Sequence, residues 1–220
     1  MSKAKSAPVD PAAEKARALK LMPVSRETEE RLVRFVELLL LWQEKTNLIA
    51  SSTADRIWSR HIADSLQLLD LTPDAKVWID LGSGGGFPGI PIACALADTP
   101  GTRVHLVESN GKKAAFLREV ARQLGLPAEV HHQRIEKFGE SFGGRADAVT
   151  ARALAPLKEL CGLACSFIQA GATGLFLKGQ DVDAELTEAS KYWKLAFRRI
   201  SSRTEPSGSI VVIHSLSPRS

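Results

Sequence analysis

The chain has 220 residues, 44% hydrophobic and 25% charged, which suits one domain with an appendage and a real apolar core. No apolar run approaches the roughly 20 residues of a membrane helix. The longest, residues 36–42, contains Glu37, and no hydrophobic segment opens the chain, so neither a membrane span nor a secretory signal is expected. The net charge of +4 is too mild to select a polyanionic partner. Three cysteines, Cys94, Cys161 and Cys165, show no zinc spacing, so a reducing cytoplasm and no metal site are expected.

Residues 1–24 carry Lys3, Lys5, Lys15, Arg17 and Lys20 against Asp10 and Glu14, and their Ala/Lys/Pro composition predicts a disordered basic tail. Residues 25–75 read as a helical N-terminal cap. Ser25 is a suitable N-cap, Glu27, Glu29 and Glu30 favour the positive end of the helix dipole, and Leu32, Val36, Leu39 and Leu40 share one face. A second helix is expected over residues 54–71, ending before Pro73.

From residue 76 to the C-terminus short apolar strands alternate with helical stretches. Strands are expected at residues 77–81, 103–108, 128–132, 146–151, 173–178, 196–202 and 209–216. Helices are expected to about Leu96, over 112–124 behind the capping Asn110, over 157–167 and over 185–192. The rhythm predicts a doubly wound, Rossmann-like α/β sheet, mostly parallel, with a final antiparallel pair at one edge.

The first strand runs into DLGSGGGFPGIP, residues 80–91. Its embedded G-x-G-x-x-G is weak evidence for a dinucleotide. The wider pattern Asp80, Gly82, Gly84, Gly86 puts a carboxylate at the strand end, a poor neighbour for a pyrophosphate but a suitable acceptor for an ammonium or a ribose hydroxyl. Pro88 and Pro91 stiffen the next turn and limit its donors. Glu108, at the end of the second strand, suits two ribose hydroxyls. Together these residues describe an S-adenosylmethionine site and a class I methyltransferase. The fourth strand lacks the [DN]-P-P-[FY] of exocyclic-amine methylases, and all three cysteines fall in expected helices rather than at a strand end.

NLIAS (47–51), WSRHIADSL (58–66), DLGSGGGFPGIP, RIE (134–136), ARA (151–153) and LKG (177–179) follow in order. They closely resemble the bacterial small-subunit ribosomal RNA guanine-N7 methyltransferase G family, also called glucose-inhibited division protein B. The resemblance runs from about Val24 to the C-terminus. It implies S-adenosylmethionine-dependent methylation of guanine N7 in a loop of 16S ribosomal RNA, on free RNA or a small-subunit assembly intermediate. It also implies cofactor contacts from Gly82, Phe87, Ile135, Glu136 and Arg152. Ala151 stands where the family often has serine, and the segment before Val24 has no expected counterpart.

Arg152 and Lys178, at the ends of the fourth and fifth strands, and His61 on the cap are the candidate substrate contacts. His131 and His132, adjacent in a strand, point to opposite faces and cannot share a metal. The four tryptophans are expected to pack. Basic residues of the tail and of the C-terminal strand pair are candidates for phosphate contacts. No general base is expected, and a monomer is the simpler assembly. Two other readings stay open: a methyltransferase for another RNA, a protein or a small molecule, and a non-catalytic nucleotide-binding regulator.

Overall fold

The computed structural model describes residues 10–219. Its first element departs from the expected tail. Asp10 accepts a hydrogen bond from the Ala12 amide and caps helix α1, Pro11–Leu21, with proline in its first turn, where a missing N–H costs little. The helix is fixed by Glu14, only 3% exposed, whose carboxylate accepts from the backbone amides of Trp58 at 3.1 Å and Ser59 at 2.6 Å. Ala18 packs into the core beside it. Composition alone missed this because the stretch is held by one long-range carboxylate and little apolar surface. The expected disorder of residues 1–9 lies outside the described residues.

Helix α2, Arg26–Gln43, starts at Ser25, whose hydroxyl accepts from the Thr28 amide. It buries Leu32, Phe35, Leu38 and Leu39. The expected second cap helix is instead a chain of short turns. A 3₁₀ turn at Ser51–Arg56 passes into a wide π-helical turn at Trp58–Ala63, then helix α3, Asp64–Leu66, and another 3₁₀ turn at Leu69–Leu71. A π-turn re-aims side chains relative to a regular helix, and here it carries His61.

The strands are β1 (Val77–Leu81), β2 (Arg103–Val107), β3 (Ala128–His131), β4 (Ala148–Arg152), β5 (Thr173–Lys178), β6 (Trp193–Ser201) and β7 (Ser209–Pro218). Between them lie α4 (Gly89–Ala95), α5 (Gly111–Leu124), α6 (Ile135–Ser141), α7 (Leu157–Gln169) and α8 (Val182–Ala189). The sheet order is β3-β2-β1-β4-β5-β7-β6, parallel through β5, with β7 antiparallel between β5 and the edge strand β6. The expected antiparallel pair is present, with the last strand inserted inward. Ser209–Ile213 is continuously buried, whereas most of β6 is exposed.

Period-two alternation feeds both faces of the sheet. Trp78, Ile210 and Val212 face a layer containing α1, α2, α4 and α5; Ile79, Leu81, Val211 and Ile213 face α6, α7 and α8. Burying side chains such as Trp78, Phe35 and Phe116 contributes about 1.5–3 kcal/mol each. Helix α6 was not foreseen: Phe138 supplies its main buried contact, too weak a pattern to read in seven residues. The strand order reverses between β1 and β4, and ligands of such sheets bind at the strands' C-terminal ends at that point.

Candidate active site

A cavity of about 600 Å³ opens there. Its floor is the turn after β1. Gly82 has φ +68°, a left-handed conformation that favours glycine, and a Cβ on it would sit 2.6 Å from Leu154 Cδ1, which would have to move. Gly85 lies so close to the cap that a Cβ would meet the Leu48 carbonyl oxygen at 2.8 Å. Glu108, 8% exposed, braces this turn: one carboxylate oxygen accepts from the Gly84 amide at 2.8 Å, the other from the Asn110 amide at 2.7 Å. It stays at the cavity edge with lone pairs to spare.

Gly82, Gly84, Phe87, Glu108, Ile135, Glu136, Arg152 and His61 all line this cavity. Asp80 and Gly86 do not. Asp80 is 1% exposed, and its carboxylate accepts from the Gly89 amide at 3.2 Å and the Thr150 hydroxyl at 3.0 Å. The expectation that it meets a ligand directly is therefore corrected: it is a buried clasp joining the loop, α4 and β4. The alternation of β1 turns its side chain into the sheet–helix interior. Burial pushes its pKa up to about 7, against the hydrogen bonds from Thr150 and Gly89, with the Glu108 charge adding to the rise. Gly86 packs against Ile90 and Leu117.

The opposite wall is polar and assembled at long range. Arg152 sends Nη1 to His61 Nδ1 at 2.7 Å and Nη2 to the Arg60 carbonyl at 2.7 Å. An arginine only donates, so His61 Nδ1 must accept, which leaves the proton on Nε2 to be donated to Thr53 Oγ1 at 2.9 Å. Thr53 in turn donates to the Ala50 carbonyl. Burial, then the charges of Arg152 and Arg60, hold the His61 pKa down to about 3, so the ring is neutral. It stacks at 4.7 Å on Phe87, which meets Phe35 of α2 at 5.2 Å. Behind Arg152, Asp64 lies 3.6 Å from its Nε and accepts from Gln67, Ser202 and Thr204. The β6–β7 turn is thereby tied to the cap. Ala153 follows with φ +49°, a strained conformation for a residue with a Cβ, and also lines the cavity.

Lys178 is not in this wall. It lines an adjoining cavity of about 350 Å³ with Arg60, Asp64, Arg152 and Glu205. Its ammonium lies 2.5 Å from Glu185 and donates to the Ala155 carbonyl at 3.0 Å. Sequence reasoning passed over Leu48, Ile49 and Thr53 as site residues. They close the cavity from the cap side, and the NLIAS motif was the available signal. The C-terminal basic cluster is partly neutralised: Lys191 pairs with Glu188, Arg199 with Asp183 and Arg203 with Asp70. Lys194 and Arg198 are exposed.

Residues 28–205 match the family model described as rRNA small subunit methyltransferase G. The chain belongs to that family. A relative from Bradyrhizobium sp. (strain BTAi1 / ATCC BAA-1182), named ribosomal RNA small subunit methyltransferase G, is 62% identical over 202 residues, 92% of this chain and 91% of its own. One of the same name from Rhodopseudomonas palustris (strain BisB18) is 56% identical over 212 residues, covering 96% of this chain and 91% of its own. That match leaves only eight residues of this chain outside it. The segment before Val24 therefore has a counterpart in this family, against expectation.

Among solved structures, an O-methyltransferase from Bacillus cereus in complex with SAH superposes with a TM-score of 0.60 at 15% identity, covering 91% of this chain and 96% of that one. The O-methyltransferase TomG from Streptomyces achromogenes, in complex with SAM, gives a TM-score of 0.60 at 12% identity, covering 92% and 96%. The shared fold is the class I, Rossmann-like methyltransferase fold.

Proposed function

We infer that this protein transfers a methyl group from S-adenosylmethionine to N7 of a guanine in a loop of 16S ribosomal RNA. Family membership supports the rRNA substrate, and the cavity supports the cofactor. Its volume lies within the usual range for small-molecule sites. A glycine backbone floor, apolar walls from Leu48, Phe87, Ile135 and Leu154, and carboxylates at Glu108 and Glu136 suit an uncharged nucleoside joined to a cationic sulfonium.

In this reading Glu108 receives the ribose hydroxyls and Ile135 with Glu136 bounds the adenine. Gly82 and Phe87 flank the centre, and Arg152 stands between the two cavities. Asp80 acts from beneath by fixing the turn. When bound, S-adenosylmethionine supplies an electrophilic methyl, and the N7 lone pair takes it without losing a proton. The wall is consistent with this chemistry, since both His61 ring nitrogens are engaged, Nδ1 accepting from Arg152 and Nε2 donating to Thr53, so the ring is not free to serve as a base. The chain's own work is then alignment, an effect worth about 7–11 kcal/mol in the best model reactions. The neighbouring cavity, lined by Arg60, Arg152 and Lys178, is in this reading the place for the guanine. A guanine exposed in a loop or an assembly intermediate is required, because N7 of paired RNA lies in a deep, narrow groove. A cytoplasmic monomer fits this role, and no described helix is long and apolar enough to cross a membrane.

The observation carrying the reading is the fit of the glycine floor, Glu108 and Arg152 around one cavity in a chain of this family. Its test is mass mapping of 16S rRNA from cells lacking the protein. One 7-methylguanosine should disappear and return with the purified protein and S-adenosylmethionine; a full complement of methylated guanines in the deletion strain overturns the assignment.

A further inference from the structure

The edge of the sheet remote from β6 holds a second cluster that methyl transfer does not use. In the β2–β3 register His105 stands opposite Glu129, and His131, two residues further along β3, returns to the same face. His105 Nδ1 lies 3.0 Å from His131 Nε2. One Glu129 carboxylate oxygen lies 3.7 Å from His105 Nδ1 and the other 3.7 Å from His131 Nε2. Donor atoms bonded to one tetrahedral zinc at about 2.0–2.1 Å are about 3.4 Å apart; the imidazole nitrogens at 3.0 Å, each with a carboxylate oxygen at 3.7 Å, stand close to that spacing. One side of the cluster is apolar: His131 packs at 4.7 Å on Phe138 and His105 meets Phe142 edge-on at 5.1 Å. The other side is open, with Glu129 64% exposed, leaving room for water as a fourth ligand.

We propose that His105, Glu129 and His131 form a three-ligand site for a borderline transition-metal dication of the zinc class. Two imidazoles and a carboxylate are a recognised donor set for zinc with an open position. Two ring nitrogens 3.0 Å apart share one proton, so at least one carries a free lone pair. The metal takes the place of that proton, which moves to the other nitrogen of its own ring. The bound ion pins the edge strand β3 to β2. Four residues beyond His131 the chain enters the first turn of α6, where Ile135 and Glu136 line the main cavity. The assignment rests on the fold and is independent of the rRNA reading.

The test uses the full chain without an affinity tag, stripped with chelator and titrated with cobalt(II) and then zinc. The expected result is one saturable cobalt per chain, giving visible d–d absorption without sulfur-to-cobalt charge transfer and displaced by zinc. At a zinc excess of 100 times Kd the Tm should rise by about 5–10 °C. Glu129→Gln and His131→Ala, both at the sheet edge, should lose the visible band and the Tm rise while keeping the apo circular dichroism. His132→Ala should retain both, because that ring turns away to the Ser109 carbonyl. Absence of saturable binding, binding that survives His131→Ala or is lost in His132→Ala, or a charge-transfer band from the cysteines would each overturn the proposal.

Discussion

Between Asp80 and Gly89 one continuous segment makes the floor of the main cavity, whereas the opposite wall joins Arg152 to His61 across 91 residues and Thr204 to Asp64 across 140. The floor depends on backbone: positive φ at Gly82 and Gly84, and amides held by Glu108 and Asp80. The wall depends on side chains satisfying one another after the cap, the sheet and the β6–β7 turn have met. Their buried titratable groups respond to pH in opposite directions, because Asp80 resists losing its proton and His61 resists gaining one. Local geometry and long-range polar satisfaction are thus two separable ways of holding one ligand site, and variants on each side test the distinction.

The largest effect on ligand affinity is expected on the floor. Gly82→Asp puts a carboxylate on a left-handed backbone position already facing Leu154 at 2.6 Å. Affinity for S-adenosylhomocysteine should fall on the order of 100-fold by titration calorimetry, with far-ultraviolet circular dichroism unchanged. Unaltered affinity would remove the loop from the cofactor site.

Next come the pH slopes. Asp80 has a folded pKa of about 7 against an ordinary 3.8, so its stabilising contribution is full below pH 3.8 and is lost as pH rises through 7. His61 has a folded pKa of about 3 against 6.5, so its contribution is present above 6.5 and is lost as pH falls toward 3. Each amounts to on the order of 4 kcal/mol over its full window. Between pH 4 and 6.5 the two act with opposite sign. In urea unfolding, Asp80→Asn should gain on the natural chain as pH rises, and His61→Gln should gain as pH falls. Curves parallel to that of the natural chain in both variants would show that neither group titrates as its burial demands.

A smaller effect belongs to the support of the wall. Glu14→Ala leaves the amides of Trp58 and Ser59 without their acceptor at the start of the turn that carries His61. It should cost about 2 kcal/mol in urea unfolding, and a loss under 0.5 kcal/mol would mean that α1 is not anchored there. The smallest change is expected from Ala153→Gly. Relief of the φ +49° conformation offsets the added chain entropy, so stability should move by no more than about 1 kcal/mol. If kcat for methyl transfer to 16S rRNA falls tenfold or more while stability holds, the Ala153 backbone positions the reacting groups.

The floor was more legible in the sequence than the wall for a physical reason. A glycine turn after a strand, a proline behind it and an acidic residue at the next strand end are short-range requirements. Gly82, Gly84, Phe87 and Glu108 all line the cavity accordingly. Asp80 was misjudged because strand periodicity gives which neighbours share a face but not which face meets the ligand. The role of His61 exists only once Arg152 and Thr53 reach it. The short turns after Ser51 defeated the helix expectation because the buried apolar residues Ile57, Trp58, Ile62 and Leu66 recur at near-helical spacing although the backbone is not one regular helix. Strand alternation sets His131 apart from its neighbour His132, and its partner is His105 on the adjacent strand.

By itself the sequence determined the alternation of strands and helices, the glycine floor and the family. These follow from backbone preferences and from motifs contained within about a dozen residues. Only the tertiary structure decided that residues 11–21 dock as a helix, that Asp80 clasps rather than contacts, and that Arg152 meets a neutral His61. It alone brought His105, Glu129 and His131 within ligand distance of one another. Each of these depends on sheet register and on side chains finding partners tens of residues away, and a linear pattern does not carry that information.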